Sequence, residues 1–458
     1  MAGAENAGSV LLTGASGFLG KVVLGRLLTR PAEVDSVLLL LRAEDDDAAV
    51  RRVREEILGS GGLGPDGDAT LEDWLRSGRA RALSADFSSD GVEGGRWGEI
   101  DTVIHCAATV SFEEPLDDAL QTNALGPLRL FEAAREAGAD PRFIHVSTAY
   151  AAECRTGVVT EADYAHPGVG ALDPDAMIAT ARSWREAGKE GPELSELSRR
   201  WAVGAGWPDT YALSKALGER LLAERCSRLT ILRPSIIESS LRHPRSGWLE
   251  GIKVADPLIL AYGGRGLTHI AGRPENRIDI VPVDCVANAC VAAALYPADE
   301  PLRVLAVASG ARNPLPIGDL AKYVQSYFSR LPLAGDTPRS VGDLNFVDRR
   351  SAVRAAQRRQ RLAAAARAIA PLVSAKRRRK LRRLARLAAQ ITRMVKIYAP
   401  YTELDVTFDD SKLVSLAAEM SAEDRSALPF DTAAYEWSEY LRCIHLPEVA
   451  RMARAPKR

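Results

Sequence analysis

The stretch Val10-Leu-Leu-Thr-Gly14-Ala-Ser-Gly17-Phe-Leu-Gly20-Lys21 decides the fold of this chain. Its first three apolar residues predict a short buried strand, and the apolar spacing over 21–28 predicts a helix. The three glycines let the backbone turn sharply and approach a phosphate closely, and the first N–H groups of a helix attract negative charge. Glycine spacing alone also occurs in ordinary turns. Its position after a first strand favours a dinucleotide-binding turn.

Further apolar runs alternate with helical stretches along the first 150 residues. The predicted strands are 36–41, 81–87, 102–108 and 142–146, and the predicted helices are 48–58 and 117–137. Alternation of this kind predicts an α/β protein, a Rossmann-type doubly wound parallel sheet with helices on both faces. In such a sheet, ligands bind beyond the carboxyl ends of the strands.

The residues at those strand ends predict which cofactor binds. Arg42 ends the second strand, where a carboxylate favours NAD and an arginine pairs with the 2′-phosphate of NADP. We therefore predict NADP, against the alternative of an ordinary solvated arginine. Asp86 and Phe87 follow the third strand, where they are expected to cover the adenine. Ala107 and Ala108 follow the fourth strand, where small residues admit the nicotinamide ribose.

Tyr211 and Lys215 lie four positions apart on a predicted helix, so their side chains share one face. A tyrosine hydroxyl has a pKa of about 10 and donates its proton poorly, and a neighbouring cation lowers that pKa. Lys215 is therefore predicted to bring the pKa of Tyr211 toward neutrality and to hold the nicotinamide ribose. Ser147 or Thr148, at the end of the fifth strand, is predicted to hydrogen-bond a carbonyl that is being reduced. A Tyr and a Lys four positions apart occur by chance in many helices. Together with the glycine-rich turn and a Ser or Thr at a strand end, the pair becomes a specific signal.

Composition limits the class of protein. The 458 residues, 46% of them hydrophobic, predict two or three structural units with a sizeable core. The six cysteines form no Cys-x-x-Cys pair and no metal-like cluster with the six histidines. This pattern predicts no metal site and the reduced cysteines of a cytoplasmic protein. Because no run of eighteen apolar residues is present, no membrane-spanning helix is predicted.

Residues 349–396 contain seventeen Lys and Arg and no Asp or Glu, whereas the whole chain has 60 of each sign. Two helices, 349–367 and 376–396, are predicted on either side of Pro371. The second is amphipathic, with Leu381, Leu384, Leu387, Ala388, Ile391, Met394 and Val395 on its apolar face. It suits peripheral contact with an anionic membrane, the phosphates of CoA, the acidic remainder of the chain, or a second copy in a homodimer. No motif supports nucleic-acid binding.

The motifs of this chain resemble those of fatty acyl-CoA reductases of the alcohol-forming type, in the extended short-chain dehydrogenase/reductase superfamily. The resemblance rests on Gly14-Ala-Ser-Gly-Phe-Leu-Gly20-Lys21, His105-Cys-Ala-Ala-Thr-Val110, His145-Val-Ser-Thr-Ala-Tyr150-Ala, Trp207-Pro-Asp-Thr-Tyr211-Ala-Leu-Ser-Lys215-Ala-Leu, Arg233-Pro-Ser-Ile-Ile with Pro244-Arg-Ser-Gly-Trp248, Asp279-Ile-Val-Pro-Val-Asp284 and Ser309-Gly-Ala-Arg-Asn-Pro314. Residues 398–447 are similar to the small domain that ends these enzymes.

The resemblance implies Tyr211 as proton donor, Lys215 as its partner, and Thr148, or as second choice Ser147, as hydrogen-bond donor to the carbonyl. The predicted cofactor-binding residues, with NADPH as the cofactor, are Thr13, Gly14, Ser16, Gly17, Phe18, Leu19, Gly20, Arg42, Asp86, Phe87, Ala107, Ala108, Asn123, Lys215, Pro234 and Ile236. No metal ligand is predicted.

The implied reaction is the NADPH-dependent reduction of a long-chain fatty acyl-CoA, via the fatty aldehyde, to a primary alcohol and CoA. One alternative is a thioester reductase that releases aldehyde from acyl-CoA or from an acyl group tethered to a carrier protein. A second alternative is a non-catalytic scaffold that senses a dinucleotide, although such a protein has no need of Tyr211. A sugar-nucleotide epimerase shares the fold, but the later motifs do not fit one.

The resemblance also predicts the domain boundaries. Residues 1–345 form the reductase domain, with an insertion at about 151–209 and a substrate-binding subdomain at about 233–330. Residues 346–396 form the basic helical segment, and 397–458 form a small helical C-terminal domain. The long connection 154–206, with predicted helices at 174–186 and 193–201, is expected to act as a lid. Residues 252–262 either line an acyl channel or pack in the core, and Trp248 is either structural or in contact with ligand.

Overall fold

The computed structural model describes residues 4–89, 92, 94–136, 140–152, 156–161, 167–264, 266–333, 340–368 and 374–455. The strands are β1 (Gly8–Thr13), β2 (Val34–Leu41), β3 (Ala80–Ser84), β4 (Thr102–His105), β5 (Arg142–Val146), β6 (Gly157–Val159), β7 (Leu229–Pro234), β8 (Ile236–Glu238), β9 (His269–Ala271), β10 (Ile280–Pro282), β11 (Leu302–Val307), β12 (Asn345–Val347) and β13 (Val406–Phe408). The helices are α1 (Phe18–Leu28), α2 (Asp46–Arg52), α3 (Gly67–Ser77), α4 (Leu116–Leu120), α5 (Gly126–Glu136), α6 (Pro167–Gly170), α7 (Pro174–Glu186), α8 (Gly191–Gly204), α9 (Thr210–Ala223), α10 (Asp256–Gly263), α11 (Val283–Leu295), α12 (Ile317–Arg330), α13 (Arg349–Ala368), α14 (Ala375–Glu403), α15 (Ser411–Glu419), α16 (Ala422–Ala427), α17 (Trp437–Glu439) and α18 (Leu446–Arg454).

The main sheet has seven strands in the order β11-β7-β5-β4-β1-β2-β3, and every pairing within it is parallel. Helices cover both faces of the sheet, so the side chains that point to either face are apolar. In β1, Val10 and Leu12 join the core on the side of α1 and α11, whereas Leu11 joins the core on the side of α5. The predicted Rossmann-type fold is confirmed.

A second core lies outside the sheet. It unites residues of α10, α12 and α14 with the last helices of the chain, including Ile259, Phe328, Val395 and Tyr440. The chain that follows the basic segment therefore packs against the chain that precedes it. The predicted boundary at 396 falls inside α14, which continues without a break to Glu403.

The helices predicted for the long connection and for the basic segment are confirmed. Helix α7 has the predicted bounds, α8 includes 193–201, and α13 and α14 include the two basic stretches. Pro371 and Cys154 lie outside the described residues. The predicted apolar face of α14 has two parts. Ile391, Met394 and Val395 are buried, whereas Leu384 and Leu387 are exposed. Among the described helices, none has the length and apolar character needed to cross a bilayer.

Candidate active site

The glycine-rich turn between β1 and α1 brings two loops into close contact. Gly14 has a φ of +72°, and a Cβ added there would lie 2.7 Å from the backbone nitrogen of Ala107. A Cβ on Gly20 would collide with the carbonyl oxygen of Gly14. No side chain caps α1 at Gly17, and its first turn holds no acidic residue. The first N–H groups of α1 are therefore available to phosphate, and the turn fits the pyrophosphate of a dinucleotide.

One cleft of about 330 Å³ contains this turn and all four predicted catalytic residues. The predicted site residues that line it are Gly14, Gly17, Phe18, Leu19, Gly20, Ala108, Ser147, Thr148, Tyr211, Lys215, Pro234 and Ile236. The predicted residues outside its lining are Thr13, Ser16, Arg42, Asp86, Phe87, Ala107 and Asn123. The structure thus brings the chemical groups together and places the residues assigned to the adenosine end beyond the cleft.

Several residues outside the lining have structural partners. The hydroxyl of Thr13 lies 2.8 Å from Nδ1 of His105 and accepts a hydrogen bond from the N–H of Ala107. The ring of Phe87 packs edge-on against His105, with 6.4 Å between centroids. Asp86 is exposed. Thr13 and Ala107 therefore hold the glycine turn against the end of β4.

Asn123 is fully buried and joins the loop after β4 to α9. Its side-chain amide donates hydrogen bonds to the carbonyl oxygen of Thr109 at 3.0 Å and to the hydroxyl of Ser214 at 3.1 Å. Its side-chain oxygen accepts the N–H of Thr109. Ser214 stands directly before Lys215 in the chain. The contacts of Asn123 position α9 relative to this loop.

Arg52 is a further candidate for cofactor binding, and no sequence motif marks it. Its guanidinium donates hydrogen bonds to the carbonyl oxygen of Arg42 at 2.6 Å and to the hydroxyl of Ser16 at 3.3 Å. It also pairs with Glu56 at 2.7 Å. The side chain of Arg42 is exposed. Arg52 thus contacts both the turn at Ser16 and the backbone of Arg42, and only the contact between α2 and the turn reveals it.

The structure corrects the predicted effect of Lys215 on Tyr211. Nζ of Lys215 donates a hydrogen bond to the carbonyl oxygen of Val146 at 2.8 Å. The pKa of Tyr211 lies above its ordinary value, because desolvation and the charge of Asp209 raise it more than a hydrogen bond with Thr148 lowers it. Desolvation lowers the pKa of Lys215 to about 8. The phenol therefore keeps its proton at neutral pH.

Ser147 and Thr148 both line the cleft because β5 ends at Val146, so the alternation of a strand no longer separates them. The hydroxyl of Thr148 hydrogen-bonds Tyr211 and accepts the N–H of Tyr150 at 3.3 Å. The buried hydroxyl of Ser147 has no hydrogen-bond partner among the described residues. Thr148 thus bonds the phenol, and Ser147 presents to the same cleft a hydroxyl that is unpaired within the described structure.

The later motifs hold the site together. Arg233 forms a bidentate ion pair with Glu219, one turn beyond Lys215 on α9, with distances of 3.0 and 2.5 Å. The carboxylate of Asp284 accepts backbone N–H groups of 241–243, and that of Asp279 accepts those of 309–310. Arg233 therefore holds α9 in place, and the two aspartates hold the loops at 241–243 and 309–310.

Trp248 has a structural position. Its ring stacks on Phe18 with 5.2 Å between centroids, and its indole N–H donates to the carbonyl oxygen of Ser60. Next to it, Glu250 lines the cleft and forms an ion pair with Lys21 at 2.5 Å. Trp248 and Glu250 therefore hold the first turn of α1, which directly follows the glycine turn.

Residues 252–262 serve both predicted purposes. Val254 and Leu258 line the cleft, whereas Ile259 and Tyr262 belong to the second core. No described residue of 167–206 lines the cleft, and the core of α7 and α8 is shared with α4 and α9. The expected lid therefore has no counterpart in the described part of that connection. Instead, α14 supplies part of the wall of the cleft through Tyr398, Tyr401 and Thr402.

Comparison with known proteins identifies the family. An NAD-binding family model described as male sterility protein matches residues 12–290, and a second model of the same description matches 362–447. This chain belongs to the male sterility protein family. Its relatives include fatty acyl-CoA reductase 2, chloroplastic, of Arabidopsis thaliana, 29% identical over 96% of this chain and 77% of that one. The alcohol-forming fatty acyl-CoA reductase of Simmondsia chinensis is 28% identical over 96% of each chain.

The family assignment confirms the predicted resemblance and the predicted oxidoreductase class. Among solved structures, the terminal R domain of the myxalamid PKS-NRPS pathway has a TM-score of 0.62, at 17% identity over 99% of this chain and 92% of that one. UDP-glucuronic acid 4-epimerase of Bacillus cereus, in complex with NAD, has a TM-score of 0.51, at 14% identity over 97% and 99%. These likenesses show the fold that the family shares.

Proposed function

We propose that this chain is an NADPH-dependent fatty acyl-CoA reductase that converts a long-chain acyl-CoA, via the aldehyde, to a primary alcohol and CoA. The observation that carries the proposal is the single cleft that joins the glycine turn, the Tyr211–Thr148 pair and an apolar wall. Ile237, Val254 and Leu258 in that wall suit an acyl chain. Relatives that are named fatty acyl-CoA reductases and match 96% of this chain support the substrate class.

The residues of the cleft have distinct roles in this reaction. When bound, NADPH supplies the hydride for both reductions. Thr148 and Ser147 donate hydrogen bonds to the oxygen on which negative charge develops. Tyr211 passes its proton to that oxygen to form a hemithioacetal. When its C–S bond breaks, the hydroxyl proton returns to Tyr211, and CoA leaves as a thiolate that takes a proton from solvent. A second hydride and a second proton convert the aldehyde to the alcohol, and Lys215 holds the nicotinamide ribose.

The proposed preference for NADPH rests on Arg52, which contacts Ser16, and on Arg42, whose exposed side chain directly follows β2. A hydrogen bond to a charged partner contributes about 1.5 to 3 kcal/mol, so Arg42→Ala and Arg52→Ala are each expected to raise the KM for NADPH about tenfold or more. The KM for NADH should stay unchanged. Arg51→Ala is the matched control, because Arg51 is exposed on the same helix. Equal effects on both cofactors would contradict the assignment.

The assay that tests the function is NADPH oxidation by the purified chain with palmitoyl-CoA, with products identified by gas chromatography. Two NADPH consumed per alcohol, and no product with Tyr211→Phe, support the proposal. One NADPH per accumulated aldehyde assigns the chain to the aldehyde-releasing class. Turnover of acyl groups on a carrier protein alone assigns the alternative substrate, and NADPH binding without any turnover supports the sensing scaffold.

The proposed place of action is the cytoplasmic face of an anionic membrane. On α14, Leu384 and Leu387 are 45% and 42% exposed, and they stand among the exposed Arg382, Arg383 and Arg386. Exposed apolar side chains flanked by arginines suit the boundary between headgroups and acyl chains. Ile391 and Val395 are buried in the second core, so intramolecular packing occupies the other part of the predicted apolar face.

Sedimentation with liposomes that contain anionic lipid tests this location. The chain is expected to pellet at low salt, and the double variant Leu384→Ser/Leu387→Ser is expected to stay in the supernatant. The matched control is Val414→Ser, because Val414 is 42% exposed on a different helix, α15. If the wild-type chain does not pellet at low salt, the membrane proposal is overturned, and analytical ultracentrifugation then tests the predicted homodimer.

A further inference from the structure

Three side chains from distant segments meet in the wall of the cleft. Glu238 ends β8, Asp256 begins α10, and His445 directly precedes α18. One ligand-type atom of each lies within 4.8 Å of the corresponding atoms of the other two. Their exposures are 1%, 0% and 0%, and Glu238 and Asp256 also line the cleft. The cluster is therefore both buried and next to the space that ligands occupy.

Three polar atoms of this cluster, both carboxylate oxygens of Asp256 and Nε2 of His445, have no hydrogen bond among the described residues. Nε2 of His445 lies 3.1 Å from Oδ1 of Asp256, yet the two do not form a well-aligned hydrogen bond. Glu238 accepts a hydrogen bond from the N–H of Ala255 at 3.3 Å. No described lysine or arginine forms an ion pair with either carboxylate. Burial and the charge of Asp256 raise the pKa of Glu238, so two buried carboxylates this close are neutralised either by protons or by a bound cation.

The imidazole is held by its other nitrogen. Nδ1 of His445 lies 3.0 Å from the hydroxyl of Ser239. Tyr440 stacks on the imidazole and donates a hydrogen bond to the carbonyl oxygen of Ser239 at 2.6 Å. An outer hydrogen bond of this kind orients a histidine whose second nitrogen is a metal ligand. Nε2 thus faces the two carboxylates in a fixed orientation.

We propose that Glu238, Asp256 and His445 bind one divalent transition-metal ion of the Mn²⁺ or Zn²⁺ class. Two carboxylates and one imidazole are donors that these ions accept, and the charge of the ion neutralises both carboxylates. Three protein ligands leave a position that water from the cleft fills. The ion fastens the C-terminal segment that carries His445 to the cleft wall. This inference departs from the sequence prediction of no metal site, and it is independent of the substrate proposed above.

Metal content of the full chain tests this site. The purified protein is incubated with Mn²⁺ or Zn²⁺, dialysed against metal-free buffer, and analysed by plasma mass spectrometry together with thermal unfolding. We expect about one ion per chain and a higher Tm with the ion than without it. Asp256→Asn and His445→Gln are each expected to lose the ion and this shift of Tm. Glu250→Gln removes a carboxylate that lines the same cleft outside the cluster, and it should retain both.

Two outcomes overturn the proposal. If the wild-type chain retains neither ion and its Tm does not respond to them, the cluster is neutralised by protons alone. If Asp256→Asn and His445→Gln both retain as much metal as the wild type, the ion lies elsewhere. Because the wild-type result needs no substitution, misfolding of a variant leaves the test intact. Neither readout depends on reductase activity, so failure of the proposed function is distinguished from failure of this site.

Discussion

The hydroxyl of Tyr401 donates a hydrogen bond to the carboxylate of Asp209, the residue that caps α9 two positions before Tyr211. The other oxygen of Asp209 accepts the N–H of Ala212 at 2.9 Å. Tyr401 also packs edge-on against Tyr150, with 5.0 Å between ring centroids. The long basic helix α14 is thereby joined directly to the helix that carries the candidate proton donor.

Tyr401→Phe tests whether this joint positions Tyr211. We expect kcat to fall about tenfold, because α9 loses a contact at its first turn, while the KM for NADPH stays unchanged. Burial raises the pKa of Asp209 to about 6, and the bond from Tyr401 opposes that rise. Without the bond the pKa rises further, so activity on the acid side should be lost at a higher pH. Tyr323→Phe, on α12, is the control, and an unchanged pH profile in Tyr401→Phe would contradict the role.

Thr148→Val and Ser147→Ala separate the two hydroxyls. Thr148→Val keeps the branched shape and removes the hydroxyl that bonds Tyr211, so we expect kcat to fall about 100-fold or more. Ser147→Ala removes a hydroxyl without a partner in the described structure and should cost less, about tenfold. Single-turnover NADPH oxidation measures both. A larger loss in Ser147→Ala would make Ser147 the main donor to the carbonyl.

The pH profile of kcat should report Lys215. Because the pKa of Tyr211 is raised, the phenol stays protonated across the ordinary range, so it does not limit the rate on the basic side. Lys215, with a pKa of about 8, loses its charge as the pH rises through that value, and kcat is expected to fall there. Lys215→Arg keeps its charge and should lose this basic limb, even if its maximal rate is lower. If kcat of Lys215→Arg falls at the same basic pH as kcat of the wild type, another group is responsible for that fall.

The ion pair between Arg233 and Glu219 is buried, with side-chain exposures of 5% and 1%. Arg233→Met leaves the carboxylate of Glu219 buried without its partner, and we expect the free energy of unfolding to fall by about 3 to 5 kcal/mol. The double variant Arg233→Met/Glu219→Leu should regain most of that loss, because no charge remains unpaired. Urea denaturation followed by tryptophan fluorescence measures both. Equal losses in the single and double variants would show that packing, rather than charge pairing, stabilises this joint.

The sequence by itself determined the parallel sheet, the dinucleotide turn, the bounds of α7 and the presence of the two basic helices, but not the end of α14 at Glu403. Each of these follows from local information, namely apolar periodicity and the backbone freedom of glycine at Gly14. The motif around Tyr211 and Lys215 placed both residues on one face of α9 for the same reason. The family resemblance also came from short stretches that can be recognised without knowing which of them touch.

Only the tertiary structure decided what those residues contact. It engaged Lys215 with Val146, placed Arg52 beside Ser16, and brought Glu238 and Asp256 to His445, which lies about two hundred positions away in the chain. It also made α14 a wall of the cleft as well as a basic surface. The physical reason is that distance and burial, which set hydrogen bonds and pKa values, arise when distant segments pack together, and no local pattern encodes them.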